Sequence, residues 1–351
     1  MYKLRDGIEE LFRVSPRQGR GEFLRLDMNE NPEGLPREFF DRVISKLTPE
    51  LLAMYPETAV LTQKLANYLD VGPEMITLSN GSDEAIKCIF EVFGNSGNVI
   101  SVYPTFEMYA VYAKLYGLEH RVINYRNDFS IDIADIIRAI DPDTSIVSLL
   151  NPNNPIGNVY TSAETERIIE SARRYGAIVV IDEAYHYFYP NTFLKLAKKY
   201  DNVLLIRTFS KLCSIAGCRI GYAVGNSRLI SLLNKVRGTY CVNAVALVFA
   251  EAILDEPEII NNLIEKEKAG RDFVIGSLKA NGYEYYAENG NYIFIKPRRP
   301  VGDVCAALEA EKILVKTYSH QMLKDYIRIT TGGIEPMLRF CEIFYKIDKE
   351  K

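Results

Sequence analysis

The sequence contains no tryptophan and only three histidines. No stretch reaches the roughly 18 apolar residues that are needed to cross a bilayer, and the N-terminus, MYKLRDGIEELF, is too charged for a signal peptide. The net charge of -4 is spread along the chain, without a basic block that could neutralise a phosphate backbone. We therefore expect a cytoplasmic protein that binds neither a membrane nor nucleic acid.

Metal-binding patterns are also missing. The six cysteines show no CxxC spacing, which argues against both a disulfide framework and a zinc site, and the histidines share no spacing. The first, third, fifth and twelfth positions of a calcium-binding loop are matched by Asp27, Asn29, Asn31 and Glu38. Pro32 occupies the sixth position, where that loop needs glycine, so we expect no bound metal.

The chain is long enough for more than one core. Its 351 residues are 48% hydrophobic, which predicts a larger and a smaller domain. Between residues 60 and 240, short β-rich runs alternate with amphipathic stretches, a pattern typical of a mostly parallel sheet covered by helices on both faces. The predicted strands are Asn98–Val102, Ser145–Leu150, Ile178–Asp182, Val203–Thr208 and Arg219–Val224.

The pattern changes after residue 245. A long helical stretch is predicted from Ala250 to Leu278, followed by short strands at Tyr292–Lys296 and Tyr326–Thr330. This part of the chain therefore predicts a smaller α+β domain.

Polar residues end several of the predicted strands, and open α/β sheets bind ligands beyond the carboxyl ends of their strands. Lys211 follows one strand, although a lone lysine is more often a solvated surface amine. Asp182 ends another; it could cap the next helix, or it could face a cation such as a protonated pyridine nitrogen. Asn154 follows a third strand; it could be an ordinary turn residue, or its amide could donate a hydrogen bond to a ligand oxygen.

A candidate anion site lies further upstream. Residues 78–86 read as a strand end, a glycine turn and a helix start, where free N–H groups and the helix dipole suit a phosphate. Ser82 and Asp83 could equally be ordinary helix caps. Ser210 and Arg219 favour the phosphate interpretation because they offer further donors.

Ten segments together resemble the histidinol-phosphate aminotransferase branch of the fold-type I, class I/II aminotransferases, which depend on pyridoxal 5′-phosphate (PLP). The resemblance covers nearly the full length. The segments are Asp27–Pro32, Met54–Glu57, Asn80–Glu84, Pro104–Tyr109, Asn151–Gly157, Asp182–Tyr185, Thr208–Lys211, Arg219–Tyr222, Val242–Asn243 and Arg328–Thr330.

The resemblance implies an α/β fold with three parts. These are an N-terminal arm or small-domain segment over residues 1–30, a large PLP-binding domain over 31–244 and a small C-terminal domain over 245–351. Lys211 would hold PLP as a Schiff base and then move protons during the reaction, and Asp182 would pair with the pyridinium nitrogen. Tyr185 and Asn154 would hydrogen-bond the ring's 3′ oxygen, and Tyr109 would stack on the ring.

The resemblance also implies a shared phosphate site. The phosphate would be bound by Ser82, Asp83, Thr208, Ser210 and Arg219. Tyr55 would reach it from the neighbouring subunit, which implies a homodimer.

The substrate would face Asn29, Asn291, Lys316 and Arg328. Lys316 stands where the family commonly has arginine, so a point charge replaces a planar fork of donors. The family's aromatic-proline-glycine stretch is also replaced here, by residues 12–19. The departures thus concentrate on substrate recognition.

Several functions follow as hypotheses. The first is transamination between glutamate and imidazole acetol phosphate, which yields 2-oxoglutarate and histidinol phosphate. Alternatives are transamination of another small phosphorylated ketone or of an aromatic amino acid, and PLP-dependent decarboxylation of threonine phosphate or serine phosphate. A ligand-sensing half of a transcription regulator is disfavoured, because the aminotransferase pattern begins within the first thirty residues.

Overall fold

The structure is a computed structural model that describes residues 3–4, 7–11 and 17–349. The predicted segment 1–30 is therefore described only in part. Residues 12–16 of the divergent N-terminal stretch lie outside the described residues.

Twelve strands form within the described residues. They are β1 (Leu24–Arg25), β2 (Ile76–Ser79), β3 (Asn98–Tyr103), β4 (Glu119–Asn124), β5 (Thr144–Leu150), β6 (Ile178–Asp182), β7 (Val203–Thr208), β8 (Gly221–Gly225), β9 (Tyr285–Tyr286), β10 (Tyr292–Ile295), β11 (Ile313–Leu314) and β12 (Ile327–Thr330).

The same residues form thirteen α-helices. They are α1 (Arg37–Ile44), α2 (Pro49–Ala53), α3 (Ala59–Leu69), α4 (Gly81–Phe93), α5 (Met108–Tyr116), α6 (Ile133–Ala139), α7 (Ser162–Arg174), α8 (Leu194–Lys199), α9 (Ser227–Val236), α10 (Ala244–Asp255), α11 (Pro257–Ala280), α12 (Val301–Ala310) and α13 (Ile334–Ile347). None of the described helices is long and apolar enough to cross a membrane.

A seven-stranded sheet organises the larger part of the fold. Its strand order is β2-β8-β7-β6-β5-β3-β4, and only β8 runs antiparallel to its neighbours. Every residue of β6 and β7 is buried, because helices cover both faces of the sheet, and continuous β-branched and leucine runs fit such positions. The prediction of a mostly parallel sheet covered by helices is confirmed.

Local sequence signals account for several boundaries. Thr161 and Glu164 form a capping box at the start of α7. The predicted strand from Arg219 is wrong at its first residues: β8 begins at Gly221, because Arg219 has a left-handed backbone (φ 55) and ends a short 3₁₀ turn.

The long helix predicted over Ala250–Leu278 is also wrong. The chain forms two helices, which meet at Glu256, because Pro257 starts a new helix and cannot continue the previous one. The earlier helix, α10, packs with α3 in the hydrophobic core beside β2 and β8. The domain boundary at residue 244 remains a prediction, and this packing favours a later position.

A smaller sheet lies against the C-terminal helices. Strands β9, β10 and β12 form an antiparallel sheet, and β1 pairs in parallel with β11. Leu26, just after β1, is buried in the same core as Phe340 of α13. This pairing carries the segment that follows β1 to the carboxyl ends of β5, β6 and β7.

Candidate active site

A cavity of about 360 Å³ lies beyond the carboxyl ends of β5, β6 and β7. The larger part of the fold supplies most of its wall, and the segments around β1 and β12 close it. It brings together most of the residues predicted from the sequence. Those that line it are Asn29, Ser82, Asp83, Asn154, Asp182, Tyr185, Thr208, Ser210, Lys211, Arg219, Lys316 and Arg328.

Lys211 enters the cavity from the turn after β7. Its Nζ donates to the carbonyl oxygen of Met28 at 3.2 Å and lies 5.6 Å from the centre of the Tyr185 ring. Burial lowers the pKa of the Lys211 amine to about 8, and the positive charge of Arg328 adds to this effect. A sizeable fraction of this amine is therefore neutral near physiological pH and able to attack a carbonyl carbon.

Asp182 ends β6 and is 3% exposed. Its Oδ1 accepts from the Ala184 N–H at 3.0 Å and its Oδ2 from the Tyr109 hydroxyl at 3.1 Å. Burial raises the pKa of this carboxyl group to about 6, even though both hydrogen bonds oppose the shift. A buried carboxylate of this kind is stabilised by a cationic partner.

The predicted role of Tyr109 needs correction. Its ring is fully buried and does not line the cavity, so it has no free face for stacking. The cavity is lined instead by Phe106, which precedes α5. Tyr109 instead donates a hydrogen bond from its hydroxyl to the Asp182 carboxylate.

Asn29, Asn154 and Tyr185 form one hydrogen-bonded group. Asn29 Nδ2 donates to the Tyr185 hydroxyl at 2.8 Å and to Asn154 Oδ1 at 3.4 Å. This arrangement leaves the Tyr185 hydroxyl proton and the Asn154 amide N–H groups to donate to a ligand oxygen. Burial raises the pKa of Tyr185 to about 12, so its hydroxyl stays protonated.

The opposite end of the cavity suits a phosphate. Ser210 accepts from Arg219 Nη1 at 3.3 Å and from the Thr208 hydroxyl at 2.9 Å. The guanidinium of Arg219 lies against Gly81, where any Cβ would overlap it, and Gly81 has a φ of 71°. The first N–H groups of α4 have no acceptor within the helix, so they are available to an anion at this point.

A second cationic region surrounds Arg328, which is buried in β12. One of its Nη atoms donates to the Tyr318 hydroxyl at 2.6 Å and to Asn154 Oδ1 at 3.1 Å, and the other donates to the Asp27 carbonyl at 2.6 Å. Its Nε is buried and has no hydrogen-bond partner among the described residues. Lys316 is paired with Arg328 through the backbone and also lines the cavity.

Two other predicted residues do not line this cavity. Asn291 is 2% exposed and donates to the Asn29 carbonyl at 3.1 Å, so it helps to orient Asn29, and its predicted contact with the substrate stays a prediction. Tyr55 is 72% exposed and stacks on Tyr240, with ring centres 4.2 Å apart. Its predicted contact with a neighbouring subunit stays a prediction.

Sequence reasoning missed residues that only packing identifies. Phe106 lies in the segment Pro104–Tyr109, which holds two aromatic residues, and the sequence does not decide which of them faces the cavity. Tyr318 lies two residues after Lys316 and had no pattern of its own. Glu183 and Arg207 form a buried ion pair at 2.7 Å near the ends of β6 and β7. The only sequence signal for this pair is that each charged residue adjoins a predicted site residue, Asp182 or Thr208.

A family model described as aminotransferase class I and II matches residues 22–344. The chain belongs to this family. The aminotransferase is 34% identical, over 320 residues, to the histidinol-phosphate aminotransferase of Thermoanaerobacter sp. (strain X514), and the match covers 89% of each chain. The resemblance seen in the sequence is therefore confirmed, and the protein is an enzyme that transfers amino groups.

Solved structures agree on the fold of this aminotransferase. The histidinol-phosphate aminotransferase of Sinorhizobium meliloti in complex with pyridoxal-5′-phosphate has a TM-score of 0.85 at 20% identity, covering 99% of this chain and 98% of that one. The Thermus thermophilus aspartate aminotransferase with maleate has a TM-score of 0.81 at 20% identity, covering 99% and 100%. The fold thus recurs in enzymes that are named for different substrates.

Proposed function

We propose that this aminotransferase uses PLP to exchange an amino group between glutamate and imidazole acetol phosphate, forming 2-oxoglutarate and histidinol phosphate. One observation carries the proposal: a lysine amine with a lowered pKa shares a cavity with a buried carboxylate and with two separate cationic regions. One cationic region suits the cofactor phosphate, and the other is left for a substrate anion. The relatives named histidinol-phosphate aminotransferase support this choice of substrate.

The residues fit PLP group by group. Lys211 would hold it covalently, Asp182 would face the ring nitrogen, and Phe106 would face the ring. The Tyr185 hydroxyl and the Asn154 amide would donate to the ring oxygen, as their free hydrogens allow. When bound, PLP supplies an electron sink that accepts the electron pair left when a proton leaves the substrate α-carbon.

The phosphate of PLP would lie in the cradle beside Gly81. Its donors would be the N–H groups of Ser82 and Asp83, the hydroxyls of Thr208 and Ser210, and the Arg219 guanidinium. An added Cβ at Gly81 or Gly221 would enter this region, which supports a cradle built for close approach of an anion.

The protein's own contribution to the chemistry centres on Lys211. Once its amine is free, it would take the proton from the substrate α-carbon and then donate this proton to the cofactor. The lowered pKa lets the amine act as a base near neutral pH. Asp182 would keep the ring nitrogen protonated, and Tyr109 would hold that carboxylate in place.

The substrate's phosphate would bind at Arg328 and Lys316. The unpartnered Nε of Arg328 offers a donor in addition to its charge. Asn29, fixed between Asn291 and Tyr185, would orient the substrate beside the cofactor ring.

We also propose a homodimer with shared sites. The exposed side chains of Leu52, Met54, Tyr55, Val60 and Tyr240 lie near one another in sequence or space and are large and apolar. Burial of such residues against a second copy would remove them from water. Tyr55 would then reach the partner's phosphate cradle.

The test is a reaction of purified protein with glutamate, imidazole acetol phosphate and PLP. We expect stoichiometric 2-oxoglutarate and histidinol phosphate, detected by mass spectrometry, and no product from the Lys211→Ala variant. The replacement of arginine by Lys316 keeps a second candidate open, the decarboxylation of threonine phosphate or serine phosphate. Carbon dioxide release without 2-oxoglutarate would favour that function and overturn transamination.

A further inference from the structure

One carboxylate in the cavity is not used by the proposed function. Four acidic residues line the cavity, and three of them have partners. Asp27 lies 2.7 Å from an arginine, Asp83 accepts from a tyrosine hydroxyl at 3.1 Å, and Asp182 accepts from Tyr109. The carboxylate of Glu107 has no hydrogen-bond or ion-pair partner among the described residues.

Glu107 lines the cavity together with Lys316 and Arg328. It directly follows Phe106, immediately before α5, and its side chain is exposed. Burial raises the pKa of Tyr318, and the negative charge of Glu107 contributes to the same shift. Tyr318 in turn accepts from Arg328 at 2.6 Å, and Glu107, Tyr318 and Arg328 all line the cavity.

The two charges suit the two ends of one substrate. Arg328 and Lys316 attract an anionic group, whereas the carboxylate of Glu107 attracts an N–H donor or a cation. A substrate with a phosphate and a nitrogen-containing ring meets both requirements. A substrate with a phosphate and a purely hydrocarbon ring meets only one.

We propose that Glu107 is a specificity-determining residue, which accepts a hydrogen bond from a ring N–H of the amino phosphate substrate. This inference rests on the proposed function and deepens it. It assigns the preference for an imidazole ring over a phenyl ring to a single carboxylate.

The experiment compares two amino donors that differ only in the ring. Histidinol phosphate carries an imidazole, and 2-amino-3-phenylpropyl phosphate carries a phenyl group with no N–H. The ratio of their kcat/KM values, with 2-oxoglutarate as acceptor, reports ring recognition independently of the phosphate and of the shared chemistry. We expect Glu107→Ala to lower this ratio about tenfold or more, since a charge-assisted hydrogen bond is lost. Glu107→Gln, which keeps an oxygen acceptor without the charge, should fall in between.

Glu91 provides the matched control, because it is an exposed glutamate at the far end of α4 and does not line the cavity. Glu91→Ala removes the same charge and should leave the ratio at the wild-type value. An unchanged ratio in Glu107→Ala, with both donors still processed, would overturn the inference while leaving the proposed function intact. If wild-type protein that holds PLP processes neither donor, the proposed substrate is wrong and the role of Glu107 falls with it.

Discussion

Lys211 and Asp182 are shifted in opposite directions by the same cause. Burial disfavours the charged form of each, so it lowers the pKa of the amine and raises the pKa of the carboxyl group. The two groups share one cavity, yet neither forms a direct ion pair with the other in the described structure. Both shifts are typical of groups that await a ligand, and both can be measured on the apoprotein.

The first prediction concerns the rate at which apoprotein captures PLP. Only the neutral amine attacks the aldehyde, and the pKa of Lys211 is about 8. The rate of covalent capture should therefore rise about tenfold per pH unit below pH 8 and level off above it. Borohydride reduction at timed intervals, followed by mass spectrometry of the peptide that contains Lys211, measures this rate.

Free Nα-acetyl-lysine is the control for this measurement, because its rate should keep rising towards the ordinary lysine pKa of about 10.4. A protein profile that still climbs through pH 10 would contradict the lowered pKa. Capture at another lysine in the Lys211→Ala variant would contradict the assignment of the residue.

The second prediction concerns the stability of the apoprotein with Asp182→Asn. The folded pKa of about 6 lies above the ordinary value of 3.8, so folding favours the protonated carboxyl group. The stabilising contribution present at low pH is lost as the pH rises through 6. Asp182→Asn stays neutral at every pH. Its free energy of unfolding should therefore exceed that of the wild type by about 1 kcal/mol at pH 4.5 and by about 3 kcal/mol at pH 7.5.

Urea unfolding of both apoproteins across this pH range gives the difference directly. Added PLP should reverse the order, because the wild-type carboxylate then pairs with the cationic ring nitrogen and the amide does not. A stability difference that is constant with pH would contradict the raised pKa of Asp182.

At the scale of secondary-structure elements, the ends of β6 and β7 are joined by a buried network. The side chains of Glu183 and Arg207 are 0% and 5% exposed, with Arg207 Nη2 2.7 Å from the carboxylate. Glu183 also accepts from the Phe193 N–H at 2.6 Å. Because Asp182 precedes Glu183, and Lys211 lies four residues after Arg207, this network fixes the relative position of the two strand ends that carry the site.

The third prediction is that Arg207→Met destabilises the protein by about 3 to 5 kcal/mol, because it leaves the Glu183 carboxylate buried without its cation. The control is Arg173→Met, which removes a partner of Asp201 at 3.0 Å where the side chains are 52% and 68% exposed. That loss should stay within about 1 kcal/mol. Urea unfolding measures both, and equal losses in the two variants would contradict the argument.

How far the sequence predicts these elements depends on how local the information is. Lys211, Asp182 and Asn154 were found because apolar runs mark the strands that they follow. Phe106 and Tyr109 are both aromatic residues of one segment, and only the packing of α5 decides which ring faces the cavity.

Non-local contacts explain what the sequence alone could not show. Asn291 reaches Asn29 because β10 pairs with β12 and the Thr330 N–H donates to the Leu26 carbonyl just after β1, which brings Asn29 and Asn291 together although they are 262 residues apart. The left-handed backbone of Arg219 likewise depends on the turn that holds its guanidinium over Gly81. Neither feature has a local sequence signal.

At the scale of the whole molecule, the position of Tyr55 bears on how the phosphate cradle is completed. Tyr55 is exposed beside Tyr240 and does not line the cavity of its own chain. The resemblance assigns Tyr55 to the site, and a residue of the site that lies outside the cavity of its own chain is expected where a second copy completes the site. The proposed dimer therefore makes a prediction that no single-chain arrangement shares.

The fourth prediction uses two inactive or weakened variants. Lys211→Ala has no reactive amine in either site, and Tyr55→Ala would weaken PLP binding in both sites. A hybrid dimer combines one Lys211→Ala chain with one Tyr55→Ala chain. The site with an intact Lys211 then receives an intact Tyr55 from the other chain, so one of the two sites regains its wild-type composition. Tandem affinity tags isolate the hybrid, and PLP affinity and 2-oxoglutarate formation are then measured per dimer.

We expect the hybrid to bind one PLP with wild-type affinity and to show about half of the wild-type activity. The two sites of a dimer consist of different residues, so each site acts independently of the other. If Tyr55 instead served only its own chain, the site with intact Lys211 would lack its tyrosine and the hybrid would stay as weak as Tyr55→Ala. The two arrangements thus predict opposite results from the same purified hybrid. A wild-type protein that sediments as a monomer at assay concentration would contradict the shared site before any variant is made.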